Sequence, residues 1–546
     1  MARTIIVGGV AGGMSTATRL RRNDEARDIT VFERSGYVSF ANCGLPYHLG
    51  GVIESRDALL LQTPESLGER FNIDVRVRHE VLSIDTTAQT VLVRDLATGT
   101  DSTETYDDLV LAPGAQPFTP PIPGIERAAG LRTVEDLDHI KKLVSGDVKT
   151  AVVIGGGFIG VEVAENLQHR GLAVTLIEAA PQIMAPFDPE ISILLQRRLQ
   201  AGGIDVRTNA IVTAISETAV TAGTEEFPAD VVIAAIGVRP DAAFISDAGI
   251  TTAKSGHILV DEHGRTNVPN IYALGDAVMK RDFLDGSDNP LPLAQNANRH
   301  GRVIADVITG RSVTTKPVYG TSIIGAFGFA VAGTGWNEKR LQAAGREYRA
   351  IHTHPVNHAG YYPGAKQMTI KLLVDPATDQ ILGAQAAGEQ GVDKRIDVIL
   401  TAMTGGLTAS DLADLELAYA PQFGMAKDPV ALIGMVNDNI VAGEKTIQWH
   451  ELASSTLPLI DVRTPSEFES EPIPGAINIP VDDLRSRVEE VRALANGGPV
   501  IVHCRVGLRG HIAVRTLAGL GVEAINLDGG YLTWEAGVAS QGNGEH

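Results

Sequence analysis

The sequence predicts an α/β protein of several domains, and three observations support this prediction. Two segments within the first 180 residues share one pattern, in which a β-branched strand is followed by a glycine cluster, a helix and a second strand ending in Glu. Residues 325–440 mix strands with apolar helices, and the C-terminal part alternates strands and helices again. The length of 546 residues allows about three to five domains.

Composition and charge argue against several classes of protein. Asp and Glu outnumber Lys and Arg by 66 to 46, for a net charge of −20, which makes nucleic acid a poor partner. The two cysteines, Cys43 and Cys504, cannot build a disulfide scaffold, and each lies in a glycine-flanked motif that favours reactive chemistry. The chain begins on a strand pattern rather than a signal peptide, and it has no apolar run of about 18 residues. We therefore expect a cytoplasmic protein with no membrane helix and no metal site.

The first glycine cluster follows the strand pattern TIIV. Gly8 and Gly13 match the outer positions of the dinucleotide-binding pattern G-x-G-x-x-G, Val10 takes the middle position, and Gly12 adds an opening beside it. Glu33 ends the next strand, 25 residues after Gly8, where a carboxylate can bind ribose hydroxyls. These features predict a Rossmann-type unit.

The second glycine cluster gives the full pattern. Gly155, Gly157 and Gly160 follow the strand AVVI, so a backbone turn and a helix N-terminus can hold a pyrophosphate. Glu178 lies 23 residues after Gly155, at the end of the next strand. Residues 179–182 contain no Arg or Lys to bind a 2′-phosphate, which favours NADH over NADPH.

Three further segments complete this pattern. The run TNVPNIYALGD ends at Asp276, and two short runs, APGAQP at 112–117 and AIGVRP at 235–240, resemble the two crossover strands of a known flavoprotein family. Together these motifs resemble the two-dinucleotide-binding-domain flavoproteins, the pyridine nucleotide–disulfide oxidoreductases, over about residues 1–440. The resemblance implies FAD in the first unit, with Asp276 at its ribityl chain, and NADH, with NADPH possible, in the second. The cofactor-binding residues that it implies are Gly8, Gly12, Gly13, Glu33, Arg34, Ala112, Gly114, Asp276, Gly155, Gly157, Ile159, Gly160, Glu178 and Gly237.

Cys43 lies in SFANCGLPYH, with no neighbouring cysteine to complete the redox disulfide usual in that family. It must therefore cycle through a sulfenic acid or pair with an external thiol. The string resembles the CoA-disulfide reductase branch, in which the lone cysteine forms a mixed disulfide with coenzyme A. The contacts with coenzyme A implied by this resemblance are Ser15, Arg19, Arg22, Ser39, Asn42, Arg299 and Lys427. Arg19 and Arg22, three positions apart on one helix, would grip its phosphates together; without the resemblance they would be read as solvated surface residues.

Two tyrosines also fit that branch, Tyr361 in GYYPGA and Tyr419 in AYAPQFG. By the resemblance they come from the partner subunit and place their hydroxyls near Cys43, where a phenol orients the thiolate or protonates a departing sulfur. The resemblance thus implies a homodimer with shared active sites.

The second cysteine lies in HCRVGLRG, directly after an apolar strand. Successive backbone N–H groups, a helix N-terminus, Arg505 and Arg509 would stabilise a thiolate or a bound persulfide at Cys504. Four residues separate Cys504 from Arg509, whereas related phosphatase loops have five, so the tighter loop suits sulfur better than phosphate. With the stretches at 460–468 and 473–480, this motif closely resembles single-domain rhodaneses.

The fold class is therefore α/β, with two Rossmann-like dinucleotide-binding domains, an α+β dimerisation domain and a C-terminal rhodanese-like α/β domain. The polar run NDNIVAGEKT, at 437–446, is interpreted as a linker. The predicted boundaries are 1–115 and 241–322 for FAD binding, 116–240 for NAD(P)H binding, 323–440 for dimerisation and 446–546 for the rhodanese-like domain.

The resulting hypothesis is an FAD-dependent reductase that uses NADH to reduce CoA persulfide, polysulfide or CoA disulfide at Cys43, while Cys504 handles sulfane sulfur. Two alternatives stay open. One is an NADH oxidase or peroxidase, in which Cys43 cycles through a sulfenic acid, although the tyrosines and the rhodanese-like segment argue against it. The other is a non-enzymatic sulfur carrier or redox sensor, which would oxidise only one equivalent of NADH per site.

Overall fold

The computed structural model describes residues 1–240 and 243–542, and the chain divides into two compact units. The first unit comprises residues 1–179 and 203–320, and the second comprises 180–202 and 321–546. The start of the second predicted FAD-binding segment at 241 and the end of the last predicted domain at 546 lie outside the described residues. The α/β fold class is confirmed, whereas the boundaries of the four domains stay predictions.

The first unit contains a five-stranded parallel sheet built from the first glycine-rich repeat. Its strands carry long Val, Ile and Leu runs because both faces are covered, and Ile5, Val31 and Val110 are fully buried. In spatial order the strands are Ile271–Ala273, Asp108–Leu111, Arg3–Val7, Asp28–Glu33 and Asp74–Val77. An antiparallel sheet packs beside it, made of His79–Asp85, Thr90–Asp95 and Asp101–Thr105.

A second parallel sheet comes from the other repeat and has the strand order Asp205–Arg207, Ala173–Ile177, Thr150–Ile154 and Val231–Ala234. Its antiparallel companion consists of Val212–Ile215, Ala219–Ala222 and Glu225–Pro228. The two short runs singled out by the sequence pair with each other as antiparallel strands, Gln116–Pro117 with Val238–Arg239. They therefore form a two-stranded crossover between the two repeats.

The helices of the first unit cover these sheets. They are Ala11–Asn23, Leu45–Leu49, Pro64–Phe71, Val134–Leu143, Phe158–His169, Ala243–Asp247 and Ala294–Ile308. Short 3-10 turns lie at Asn42–Gly44, Arg56–Leu59, Ile125–Arg127 and Gly275–Ala277, and a small hairpin pairs Lys280–Arg281 with Asp288–Asn289. Among the described residues of the whole chain, no helix is long and apolar enough to span a membrane.

The second unit combines two sheets. The antiparallel sheet has the order Ser322–Ala326, Phe329–Gly335, Ile381–Gly388, Met368–Val374 and Arg349–Thr353. The parallel sheet has the order Thr446–Ile447, Ala524–Leu527, Val500–His503, Leu459–Asp461 and Ile477–Asn478. The helices of this unit are Pro189–Ala201, Glu338–Ala343, Val392–Gly405, Pro429–Val441, Trp449–Leu452, Pro465–Ser470, Val488–Ala495, Leu508–Gly519 and Gly530–Gln541, with a 3-10 turn at Ser410–Asp414.

The interpretation of residues 437–446 as a linker is wrong for the first half of that segment. The helix Pro429–Val441 continues through it, and Ile440 packs against the core of the antiparallel sheet. Asn437 is completely buried and donates a hydrogen bond to Asp379 Oδ1 at 2.9 Å. Polar residues that look solvated in the sequence are therefore partnered inside the fold.

Candidate active site

The first unit encloses a cavity of about 930 Å³ along the ends of the strands of its five-stranded parallel sheet. In open parallel sheets a ligand binds at the carboxyl ends of the strands, so this is the expected nucleotide position. Seven predicted cofactor-binding residues line the cavity: Gly8, Gly12, Glu33, Arg34, Ala112, Gly114 and Asp276.

The glycine turn at the cavity wall is tightly packed. Gly8 has a φ of 102°, and a Cβ there would lie 2.1 Å from the Ala112 carbonyl oxygen. Gly13 lies beneath the turn, where a Cβ would approach Gly8 O to 1.9 Å. The Gly9 N–H donates to Glu33 Oε2 at 2.7 Å, which fixes the carboxylate beside the turn. Only glycine fits at Gly8 and Gly13, so the strand, the turn and the helix pack closely together, and this close-packed turn is the backbone cradle that dinucleotide binding requires.

Arg132 is a cavity residue that the sequence did not reveal. Its guanidinium approaches Gly114 so closely that a Cβ on Gly114 would lie 2.4 Å from Nη2. Burial lowers the pKa of Arg132, against the opposing charges of Asp276 and Glu33. A cation in this wall suits the phosphates of a dinucleotide. Arg132 lies in an irregular segment, so no periodic pattern or motif marks it.

The second glycine turn repeats this geometry. Gly155 has a φ of 107°, and a Cβ there would lie 2.4 Å from the Ala235 carbonyl oxygen. Gly160 packs on Gly155 O, and the Gly156 N–H donates to Glu178 Oε2 at 2.7 Å. The other predicted residues around this turn are Gly157 before the helix, the exposed Ile159 in its first turn and Gly237 on the crossover. A second dinucleotide therefore has the same backbone cradle as the first.

Cys43 lies on the turn Asn42–Gly44 and lines both the large cavity and a second cavity of about 410 Å³. Its side chain is exposed, and the Sγ–H donates a weak hydrogen bond to Asn42 Oδ1 at 3.8 Å. Desolvation by the surrounding protein raises the pKa of the Cys43 thiol, and the negative charges of Glu162 and Asp276 raise it further. The thiol is thus open to two different ligands at once.

The smaller cavity brings together four of the predicted substrate-binding residues with Cys43: Ser15, Arg22, Ser39 and Asn42. Arg70, from the helix Pro64–Phe71, adds a second cation that the sequence analysis missed. The Ser15 hydroxyl donates to Asn298 Oδ1 at 2.5 Å, which joins the first helix to the last helix of this unit. A thiol at one end and two arginines along the wall suit a thiol compound that carries phosphates.

Arg19, which the resemblance implied as a phosphate contact beside Arg22, is not among the residues that line the smaller cavity. Its Nε and Nη2 donate to the two carboxylate oxygens of Asp306, at 2.8 and 3.1 Å. This bidentate ion pair ties the helix Ala11–Asn23 to a distant helix, so the side chain serves the fold in this structure. Arg299 is exposed and donates to Asn296 at 2.5 Å. The exposed Lys427 lies in the second unit.

A carboxylic acid near Cys43 was also missed by the sequence analysis. The Tyr47 hydroxyl donates to Glu162 Oε1 at 3.2 Å. Burial raises the pKa of Glu162 to about 7, and nearby Glu165 contributes. Glu162 lies in the helix that follows the second glycine turn. The sequence there is explained by the nucleotide-binding motif, so nothing in it indicates a carboxylate near Cys43. The pair gives the site a group that can hold a proton near neutral pH.

Tyr361 and Tyr419 meet in the second unit. Their hydroxyl oxygens lie 3.0 Å apart, although the side chains are 77% and 49% exposed. Tyr362 instead packs edge-on against His358, with ring centroids 5.7 Å apart. The structure therefore distinguishes the two neighbouring tyrosines: Tyr361, and not Tyr362, forms the outward hydroxyl pair with Tyr419.

Cys504 follows the strand Val500–His503 and is completely buried. The loop after it turns through Gly507, which has a φ of 93°, and the helix Leu508–Gly519 begins next. The thiol thus lies at the N-terminal end of a three-turn helix, as the motif predicts, where helix N–H groups favour negative charge.

Both arginines of this loop have carboxylate partners. Arg509 donates two hydrogen bonds to Glu467, each 2.7 Å long, and these raise the pKa of Arg509. Arg505 lies 3.5 Å from Glu471 in a looser, half-exposed pair. Both arginines were expected to stabilise a thiolate or a persulfide at Cys504, and these two carboxylates partly neutralise their positive charge.

Family models agree with this architecture. A model described as pyridine nucleotide-disulphide oxidoreductase matches residues 2–301, and one described as its dimerisation domain matches residues 321–429. A model described as a rhodanese-like domain matches residues 446–537.

Individual proteins extend the similarity. A coenzyme A disulfide reductase of Staphylococcus haemolyticus (strain JCSC1435) is 35% identical over 438 residues, or 80% of this chain and 99% of that protein. The crystal structure of reduced Bacillus anthracis CoADR-RHD is 43% identical, with a TM-score of 0.96 over 98% of each chain. A structure of an NAD-dependent persulfide reductase from A. fulgidus is 34% identical, with a TM-score of 0.91 over 97% of this chain and 100% of that one.

Proposed function

The chain belongs to the pyridine nucleotide-disulphide oxidoreductases, and from this premise we propose that it reduces sulfur–sulfur bonds of coenzyme A persulfides and disulfides with NADH. The observation that carries the proposal is the position of Cys43, whose thiol lines both the nucleotide cavity and the smaller cavity with two arginines. One thiol can therefore exchange electrons on one side and bind a sulfur substrate on the other.

The large cavity would hold FAD. The backbone turn at Gly8, the carboxylate of Glu33, the cation of Arg132 and Asp276 fit its pyrophosphate, ribose and ribityl groups. FAD bound there would supply the two-electron chemistry between a nicotinamide and a disulfide. The turn at Gly155 with Glu178 would hold NADH. The absence of Arg and Lys from residues 179–182 supports NADH over NADPH.

The smaller cavity would hold the coenzyme A part of the substrate. Ser15, Ser39 and Asn42 offer hydrogen bonds, while Arg22 and Arg70 offer charge to its phosphates. The Cys43 thiolate attacks the inner sulfur of a CoA persulfide, so that a Cys43–CoA disulfide forms and hydrosulfide leaves. Two electrons then cleave that disulfide, and both the Cys43 and CoA thiolates are regenerated. A CoA disulfide follows the same course, with a second CoA thiolate as the leaving group.

Protons are supplied by tyrosines and a carboxylic acid. We propose that the outward hydroxyls of Tyr361 and Tyr419 from a partner subunit reach Cys43, which requires a homodimer, and the match to a dimerisation domain supports this arrangement. Within the subunit, Tyr47 and Glu162 form a second polar pair beside the thiol. Each group can orient a thiolate or protonate a departing sulfur.

Cys504 would carry sulfane sulfur. Its place before a helix N-terminus, with Arg509 close by, supports formation of a persulfide anion. Joining this centre to the reductase in one chain raises the effective concentration of each near the other. The fusion favours a persulfide over a plain disulfide as the physiological substrate.

Steady-state oxidation of NADH with CoA persulfide, CoA disulfide and hydrogen peroxide tests the proposal. We expect the persulfide to be the fastest substrate and Cys43→Ser to abolish turnover. Cys504→Ser, which removes the other thiol instead, is the matched comparison. Faster turnover with peroxide or oxygen, and none of the CoA compounds reduced, would replace the proposal with the oxidase or peroxidase. Oxidation of a single NADH equivalent per site would replace it with the sulfur carrier or sensor.

A further inference from the structure

The loop that follows the strand Ala524–Leu527 packs directly on the backbone of the Cys504 loop. The Tyr531 N–H donates to Cys504 O at 2.8 Å, and the Leu532 N–H donates to Arg505 O at 3.1 Å. Gly530 has a φ of 63°, and a Cβ there would lie 2.5 Å from the same Cys504 oxygen. Residues 528–532 consist of the turn after the strand and the first residues of the helix Gly530–Gln541, and they are here called the bracing loop. They fix the carbonyl of the nucleophile and that of its neighbour.

The other side of the bracing loop is held by the antiparallel sheet of the same unit. On the strand Arg349–Thr353, the His352 backbone N–H donates to Asp528 Oδ2 at 3.0 Å, and its ring Nδ1 lies 2.5 Å from the same oxygen. Just past the strand, His354 Nε2 lies 2.8 Å from the Thr533 hydroxyl, next to the loop. The Cys504 loop is thus connected to the sheet through two layers of hydrogen bonds.

The ring of His352 is clamped between two carboxylates, because its Nε2 also lies 3.0 Å from Glu190 Oε1. Both ring nitrogens face acceptors, so the ring binds them best as an imidazolium that donates from each. Glu190 belongs to a buried group of three carboxylates, together with Asp188 and Glu338. The Lys371 ammonium lies among them, 2.8 Å from Asp188 and 3.3 Å from Glu338, and supplies the positive charge.

We propose that His352 is a positioning residue of the sulfurtransferase site, because it holds Asp528 and thereby the bracing loop against the Cys504 loop. Sulfur transfer at Cys504 then depends on docking against the antiparallel sheet, and the isolated sequence motif does not suffice. The proposal rests on the assignment of Cys504 as the persulfide-forming nucleophile. Displacing a reacting group by about 1 Å can cost on the order of a hundredfold in rate, so a small shift of this loop is sufficient.

The charge state of His352 gives the brace a pH limit. Burial lowers the pKa of His352, but the charges and hydrogen bonds of Asp528 and Glu190 outweigh it and raise the pKa to about 9. Lys371 opposes this rise, and His354 is neutral because burial lowers its pKa to about 3. The clamp is therefore complete below pH 9 and loses one donor as the pH rises through that value.

The test follows sulfur transfer from thiosulfate to cyanide by the full-length protein. The Cys504 thiolate takes the outer sulfur of thiosulfate and releases sulfite, and cyanide removes that sulfur as thiocyanate. In His352→Gln we expect kcat for this reaction to fall about tenfold, while NADH-linked reduction of CoA disulfide is retained. His450→Gln, an exposed histidine on the helix Trp449–Leu452, is the matched control and should transfer sulfur at the wild-type rate.

A pH profile separates positioning from a general loss of stability. Wild-type kcat for sulfur transfer should fall as the pH rises through about 9, the value set by His352. Asp528→Asn keeps the shape of the contact but removes the charge, and it should move that fall to lower pH. Wild-type kinetics in His352→Gln, or an unchanged alkaline limb in Asp528→Asn, would overturn the proposal. A wild-type enzyme that transfers no sulfur from thiosulfate or polysulfide would instead overturn the assignment of Cys504.

Discussion

The two cysteines of this chain occupy opposite kinds of environment. Cys43 lies exposed on a short turn where two cavities meet, so its partners must be large molecules bound on either side. Cys504 is completely buried in a loop that is braced by neighbouring backbone. The difference separates two tasks: an open thiol suits exchange of electrons with bulky substrates, whereas an enclosed one suits transfer of a single sulfur atom.

Electrostatics divides the two sites in the same way. At Cys43, desolvation by the surrounding protein raises the pKa of the thiol, and the carboxylates of Glu162 and Asp276 raise it further. Beside Cys504 lies an arginine whose charge is shared with Glu467. Cys43 therefore depends on the molecules bound beside it to favour the thiolate. Cys504 has groups of the protein itself for this purpose, namely the helix N–H groups and Arg509.

The largest effect should come from removing one thiol at a time. Cys43→Ser should lower NADH-linked reduction of CoA disulfide by on the order of a thousandfold or more, because the nucleophile itself is lost. It should leave thiosulfate sulfurtransfer within about twofold of wild type, and Cys504→Ser should show the reverse. Stopped-flow and steady-state assays on both variants measure this separation. If either variant lost both activities while remaining folded, the two centres would act as one site and the comparison would fail.

The bracing loop should be the next most sensitive region. Gly530→Ala forces a Cβ to within 2.5 Å of Cys504 O in a left-handed backbone, and we expect it to cost about 2–4 kcal/mol of stability. Sulfur transfer should fall with it, while the Cys43 reaction remains. Gly521→Ala is the matched control, because its φ is also left-handed, at 74°, but no atom lies within 4 Å of the added Cβ. Thermal unfolding of both variants should show the larger loss for Gly530→Ala, and equal losses would remove steric contact as the cause.

A smaller change is expected from the arginines near Cys43. Arg70→Ala should raise the KM for CoA disulfide about tenfold, with kcat nearly unchanged, since one charge-assisted contact to a phosphate would be lost. Arg19→Ala, which removes the ion pair with Asp306, should instead lower the unfolding temperature and leave KM alone. A rise in KM for Arg19→Ala without one for Arg70→Ala would reverse these two assignments.

The sequence predicted well those parts of the molecule that local patterns specify. The glycine turns at Gly8 and Gly155, each with its strand-end Glu, and the position of Cys504 before a helix follow from spacing alone, because each motif spans a strand, a turn and a helix. The resemblance implied that the runs at 112–117 and 235–240 are crossover strands, and the structure adds that Gln116–Pro117 pairs with Val238–Arg239 in antiparallel fashion.

The parts that escaped prediction depend on contacts between residues far apart in the chain. Arg19 meets Asp306 across 287 positions, and His352 meets Asp528 across 176, so no local pattern marks either pair. Arg70 and Arg132 lie outside recognisable motifs but reach the cavities through tertiary packing. The helix through Asn437 was missed because its polar face suggested solvent, whereas tertiary hydrogen bonds bury it.

Smaller effects still should come from the two carboxylates that pair with the arginines of the Cys504 loop. Burial and helix N–H groups are unchanged in Glu467→Gln, and the amide oxygen can still accept the Thr464 N–H that caps the helix Pro465–Ser470. In the variant the positive charge of Arg509 is no longer neutralised by a carboxylate, so it stabilises the Cys504 thiolate more strongly. The rate of alkylation of Cys504 by iodoacetamide at pH 7 should therefore rise about threefold in a Cys43→Ser background.

Glu471→Gln tests the same idea at the looser pair, where the atoms are 3.5 Å apart and half exposed, and it should change the rate less. The Arg509 guanidinium holds the pKa of Glu467 at about 2. The stabilising pair is therefore complete above the ordinary pKa of a glutamate and is lost only as the pH falls through about 2, so the wild-type alkylation rate should carry no step from Glu467 between pH 5 and 8. A slower reaction in Glu467→Gln would mean that the ion pair orders the Cys504 loop more than it screens Arg509, and the Cys504 centre would then depend on the geometry of its loop before its charge.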